Sequence, residues 1–136
     1  MSHIDSWSDA PVVIHVPHSS TAIPDRLRDQ FTITDQQLND IHEALVDHDT
    51  DLIAANLGTV VKFSYSRLLV DVERFWDNNN EPMADVGMGA IYQVDHELRP
   101  IRRSLTQHEH NQLKQLYDEH HQALQHAVDR KLKSHG

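Results

Sequence analysis

An α/β fold is predicted for this chain by three observations taken in order. The stretch "PVVIHV", residues 11 to 16, is an unbroken apolar run between two prolines and reads as a strand covered on both faces, as in a parallel sheet. The segment that follows repeats its apolar residues at helical spacing, and after it "TVVKFSYSRLLVDVERF", residues 59 to 75, is rich in Val, Phe, Tyr and Leu. Strand, helix, strand is a βαβ unit, and such a unit places its two strands parallel in one sheet.

Each element has its own local reason. Pro17 ends the first strand and a loop carrying "PHSSTAIP" follows. Thr34 with Gln37 forms a capping box, Ile33 and Leu38 can staple the entry, and Leu38, Ile41 and Leu45 recur at three and four residues, which predicts a helix from residue 34. The cluster "DHDTD", residues 47 to 51, interrupts that spacing and marks a break between two helices, the second carrying Leu52, Ile53 and Leu57 and closing at Gly58. Residues 59 to 75 read as one or two strands, with Ser66 and Arg67 between the halves. From Trp76 to Pro100 the chain is loop-like, with at most a short strand at Ala90 to Tyr92, and it is long enough to carry function. A second capping box, Thr106 with Glu109, opens a long helix to about Leu132, with Leu113, Leu116, Tyr117, Leu124 and Val128 on one face; the tail "DRKLKSHG" is expected to fray.

Composition bounds the class. With 136 residues, 38% of them hydrophobic, one domain over residues 1–136 is expected. A net charge of -9, from 21 acidic and 12 basic side chains, argues against nucleic acid and anionic membrane as partners. The chain has no cysteine, so neither a disulfide frame nor a thiolate site can form. Residues 1 to 10, "MSHIDSWSDA", show no signal-peptide pattern, and a soluble, cytoplasmic protein is expected. After the long helix no further strand follows, so the sheet is expected to be incomplete at the C-terminus; an uncovered sheet edge and apolar face would favour a homo-oligomer.

Two constellations can carry chemistry. His18 lies just past the C-terminal end of the first strand, the edge at which open α/β sheets bind ligands. Asp47, Asp49 and Asp51 sit in the helix break, and "YDEHHQAL" offers His120 and His121; two imidazoles with a carboxylate make a zinc site of catalytic type, open to water at the fourth position. The competing reading makes His18 a turn residue and the Asp cluster a helix cap. In "SRLLVDVER", Arg67 and Arg74 flank an apolar run and suit two-point binding of a carboxylate; alternatively one of them pairs with Asp71 or Glu73.

The order "VPHSSTAIP", "DHDTD" with a helix to "LG", "SYSRLLVDVER", "GAIY" and "YDEHHQAL" resembles the N-formylglutamate amidohydrolase family from about residue 11 to residue 128. The resemblance implies a mixed α/β sheet flanked by helices, of the phosphorylase/hydrolase-like, zinc-carboxypeptidase-like kind, also similar to aspartoacylase. It further implies zinc-dependent hydrolysis of the amide bond of an N-formyl or N-acyl amino acid in histidine catabolism. It makes His18 the first metal ligand, Asp49 the second, with Asp51 as the alternative, and His121 the third, although periodicity places His120 nearer the centre of the apolar face. Arg67 and Arg74 would hold the carboxylates of a small anionic amino-acid derivative. The chain departs from the family pattern in having Glu73 where Asn is usual, and in lacking a later strand ending in "HS". No residue is assigned as the glutamate general base of a carboxypeptidase-like mechanism. A truncated homologue that binds metal or a small anionic ligand without catalysis is the alternative.

Overall fold

A computed structural model describes residues 4–135. Eight segments are ordered along it: β1 (Ile4–Ser6), β2 (Val13–Val16), α1 (Asp25–Arg28), α2 (Asp35–Leu45), α3 (Thr50–Ala54), β3 (Thr59–Lys62), a 3-10 turn (Pro82–Val86) and α4 (Gln107–His135). The sheet runs β1-β3-β2, with β2 parallel to β3 and β1 antiparallel to it, and is therefore mixed. The βαβ unit is present, and β1, for which three residues give little sequence signal, is an addition to it.

Alternation along β2 divides the two faces. Ile14 and Val16 pack with Ala54 of α3 and Val60, whereas His15 points to the α4 side and meets His120. Gly58 is needed where α3 returns into β3, because a Cβ there would lie 2.8 Å from the Val12 carbonyl oxygen. Both capping boxes form: Thr34 and Gln37 exchange bonds of 3.1 and 2.9 Å, and Thr106 and Glu109 do the same. The break at residues 47–49 also stands, between α2 and α3.

Two expectations are corrected. Residues 63–75 are not strand, and β3 stops at Lys62. Beyond it the chain folds through successive turns, yet Leu68, Leu69, Val70 and Val72 have no exposure at all. A buried segment without a ladder must satisfy its backbone groups elsewhere. Here Ser66 Oγ accepts the Leu68 N–H, Ala90 O accepts the Asp71 N–H, and the Arg102 guanidinium donates to Leu69 O at 2.8 Å and Tyr92 O at 3.1 Å. Tyr92 forms an isolated bridge to Met88, within the bound of at most a short strand read over residues 90–92. The second correction concerns the tail, which continues α4 to His135. It is held because Lys131 is buried, bonds the Ser8 carbonyl and lies over the Trp7 ring, with Arg130 stacked on the same ring at 4.0 Å.

The main core gathers Phe63, Leu68, Leu69, Tyr92, Ile101 and Leu113 with α2, each fully buried aliphatic contributing roughly 1.5–3 kcal/mol. Among the described residues no helix is long and apolar enough to cross a membrane.

Candidate functional site

The turn-rich segment after β3 carries a carboxylate into the core. Asp71 has no exposure, and every lone-pair direction it offers is engaged. Oδ1 accepts from His18 Nε2 at 2.8 Å and from the Glu73 N–H at 3.0 Å; Oδ2 accepts from the Tyr92 hydroxyl at 2.5 Å and from Arg67 at 3.1 Å, with Arg74 Nε at 3.6 Å. Burial alone would raise this carboxyl, but the hydrogen bond and charge of His18, then Tyr92 and Arg67, outweigh it and hold the pKa well below the usual carboxylate range. Tyr92 shifts the other way, pushed up to about 12 by burial and by Asp71, so it remains a donor.

An ionised Asp71 can only accept, so His18 Nε2 donates to it and the ring's orientation is fixed. The remaining nitrogen, Nδ1, then faces two further carboxylates: Glu73 Oε2 at 3.4 Å and Asp47 Oδ2 at 3.8 Å. His18 is 4% exposed while Glu73 and Asp47 are open to solvent at 63% and 59%. A ring nitrogen and two acidic groups gathered at one point call for positive charge between them. Tetrahedral ligands at zinc distances lie about 3.3–3.4 Å apart, and the Nδ1 to Glu73 separation matches that. Asp71 stands behind the imidazole as the orienting partner of a ligating histidine does. Among the described residues, His18, Asp71 and Glu73 form the group whose ligand atoms lie within 4.8 Å of one another.

The residues singled out from sequence divide accordingly. His18 is at the centre, and the predicted position past the C-terminal end of a parallel strand is the one observed. Asp49 does not enter the group: it is the exposed residue immediately before α3, in left-handed conformation (φ 63), and the carboxylate of the acidic cluster that turns to His18 is Asp47. Asp51 instead pairs with Lys62 at 3.3 Å. His121 also lies outside it, with Nε2 bound to the Val72 carbonyl oxygen at 2.7 Å and its ring against Tyr117. His120 is fully buried, with Nε2 2.7 Å from His15 Nε2, and burial, then His121 and His18, lower the pKa of His15 to about 4.

The arginines divide too. Arg67 is committed internally, to Tyr92, to Leu45 O and to Asp71, which is the salt-bridge alternative read from the sequence. Arg74 is a quarter exposed and stands 3.6 and 3.7 Å from Asp71 and Glu81, beyond ordinary hydrogen-bond length. Sequence reasoning named Asp47 within the acidic cluster but chose Asp49, and it passed over Tyr92, Arg102 and the His42–Ser66 pair, whose Nε2 and Oγ are 2.8 Å apart. One signal was available: an aspartate inside "LLVDVER", between two arginines, is a charge placed among residues destined for the core.

The fold and this site define an α/β protein with an acidic, histidine-centred cluster at the end of a parallel strand. The family model described as N-formylglutamate amidohydrolase matches residues 10–136, and the chain belongs to that family. Among solved structures, the crystal structure of N-formylglutamate amidohydrolase from Ralstonia eutropha JMP134 is similar, with a TM-score of 0.77 at 20% identity, covering 99% of this chain and 53% of that one. The chain thus spans about half the length of that relative. No curated protein sequence matches it.

Proposed function

We propose that this chain carries the metal-binding part of a hydrolase acting on the amide bond of an N-formyl or N-acyl amino acid. The observation that carries the reading is His18 Nδ1 facing Glu73 and Asp47 while Nε2 is anchored on Asp71. His18 and Glu73 would hold a zinc ion, with Asp47 the nearest further carboxylate; Asp49 and His121, implied by the family pattern, are the candidates to be compared with it. When bound, such an ion polarises a carbonyl and lowers the pKa of water toward neutrality. The chain's own residues do the rest. Asp71 fixes the imidazole, Tyr92 and Arg67 brace Asp71 from behind, and Arg74 has donors to offer a substrate carboxylate. Glu73 and Asp47 would repel an anionic substrate in the absence of the cation, so binding of the ion precedes binding of the substrate.

Metal analysis of the purified chain and of His18→Ala, Glu73→Gln, Asp47→Asn, Asp49→Asn and His121→Ala tests the site. One zinc per chain, lost in His18→Ala and reduced in Glu73→Gln, is expected; equal metal in all of them removes the reading. Formate release from N-formylglutamate tests the reaction. Because the chain covers about half of the relative's length, a non-catalytic homologue that binds metal or a small anion is the second reading. It is favoured by stoichiometric zinc without formate.

A further inference from the structure

We infer that His42 and Ser66 are positioning residues, whose buried side-chain bond clamps together the two chain segments that deliver a carboxylate to each side of the His18 ring. The inference rests on the reading of His18 as the centre of a cation site. His42 Nε2 and Ser66 Oγ lie 2.8 Å apart, and the two residues are 5% and 0% exposed. A serine at this distance from an imidazole is also the arrangement of an activated nucleophile. Burial excludes that use, because a hydroxyl with no exposure meets no substrate, and Ser66 Oγ already accepts the Leu68 N–H at 3.1 Å. Burial, then His48, holds the His42 pKa below its ordinary value, so the ring is neutral at physiological pH and its bond to the hydroxyl needs no counter-charge.

The connections on either side give the bond its consequence. His42 lies in the last turn of α2, and Asp47 follows it by five residues. The Val46 N–H donates to the His42 carbonyl, the helix ends there, and the Asp47 N–H donates to the His18 carbonyl at 2.9 Å. Ser66 likewise precedes Asp71 by five residues. Its N–H donates to Ala22 O in the loop that follows His18, and its carbonyl accepts the Leu69 N–H. Its neighbour Arg67 donates both to Leu45 O at the end of α2 and to Asp71. The His42–Ser66 bond and the one from Arg67 to Leu45 O thus tie the end of α2 to the turns before Asp71. Asp71 then meets His18 Nε2 at 2.8 Å, and Asp47 stands 3.8 Å from Nδ1.

The clamp lies inside the described residues: His18, His42, Ser66 and Asp71 are all buried, so nothing outside them is needed to form it. A binding constellation works only when its donors are held to within about 0.5 Å by the groups behind them. Asp71 is fixed by its own partners, but Asp47 is open to solvent and takes its place from the backbone around it. On the α2 side that backbone is held at the Asp47 N–H, at His42 and at Leu45 O, and two of these three ties run to Ser66 and Arg67. Loosening them frees Asp47 on one side of the ring and shifts the segment of Asp71 on the other.

His42→Leu and Ser66→Ala break the clamp, His42→Gln and Ser66→Thr keep a group able to make it, and Ile41→Val trims the same turn of α2 in the core without touching it. Two quantities are read on the whole chain: zinc affinity by calorimetry, and, without metal, the magnetic-resonance signal of the His18 Nε2 proton held on Asp71. His42→Leu and Ser66→Ala should each raise the zinc Kd by roughly tenfold, the low end of what removing a partner behind the ligands costs. Both should also broaden the His18 proton signal, with recovery in His42→Gln and Ser66→Thr and neither change in Ile41→Val. The paired variant His42→Leu with Ser66→Ala, in which no imidazole or hydroxyl is left unpaired, should behave as the single ones do and carries the test if either fails to fold. An unchanged His18 signal in the clamp-breaking variants overturns the inference, as does an equal change in Ile41→Val, which would make the effect one of general packing. A wild type that binds no zinc removes the cation reading alone, since the His18 signal, read without metal, still decides the clamp.

Discussion

The segment around Asp71 and the edge formed by β2 and α3 sit close together and are built on opposite terms. Around Asp71 the chain buries charge and supplies a partner for each group: His18, Tyr92, Arg67, Arg74 and one backbone N–H converge on a single carboxylate, and Arg102 satisfies the carbonyls of the turns beside it. At the edge it leaves Leu52, Ile53 and Leu57 in water beside the outermost strand of the described sheet. A buried charge is tolerable only when fully partnered, whereas an exposed leucine costs little and becomes useful when something covers it. The first region is therefore where single substitutions should be felt in stability, and the second is where they should be tolerated.

The largest contrast is expected from Asp71→Ala, which strands several buried donors at once; denaturant unfolding should show a loss of about 3–5 kcal/mol. Next is Arg102→Met, which leaves Leu69 O and Tyr92 O without their donor and should cost roughly 1–3 kcal/mol by the same measurement. Retention of full stability in either variant would show that the turns hold themselves.

Acid should separate the regions as well. The pKa of His15 falls from 6.5 to about 4 because burial, then His121 and His18, disfavour its charged form. The unfolded chain then binds more protons than the folded one inside that window, so stability is full above pH 6.5 and declines as pH falls toward about 4. His15→Asn should flatten this slope. Asp71, also depressed, adds a further loss as pH drops below the ordinary carboxylate range.

The two arginines refine the comparison at smaller scale. Arg67→Gln removes three internal bonds and should lower stability by about 1–2 kcal/mol, whereas Arg74→Gln should leave stability nearly unchanged and weaken binding of a carboxylate ligand, read by calorimetry. The smallest effect is reserved for the edge: Leu52→Ser should move monomer stability by no more than about 0.5 kcal/mol.

Local order is what the sequence by itself determined. The strand between Pro11 and Pro17, both capping boxes, the break at "DHDTD" and the parallel β2–β3 pair all follow from neighbours a few residues apart, where propensity, capping and periodicity act. The position of His18 was legible for the same reason, since a strand end is a local feature. Which carboxylate reaches it was not. Asp47 and Asp49 are two residues apart in sequence, yet Asp47 Oδ2 lies 3.8 Å from His18 Nδ1 while Asp49 is the exposed left-handed residue that precedes α3. Nor could spacing tell that "LLVDVER" folds as buried turns rather than a strand, because its backbone partners are distant: Arg102, more than 30 residues away, donates to the Leu69 carbonyl, and Ala90 O accepts the Asp71 N–H. Tertiary structure decided the partners of buried polar groups, since a charge enters the core only where distant donors have been brought to meet it.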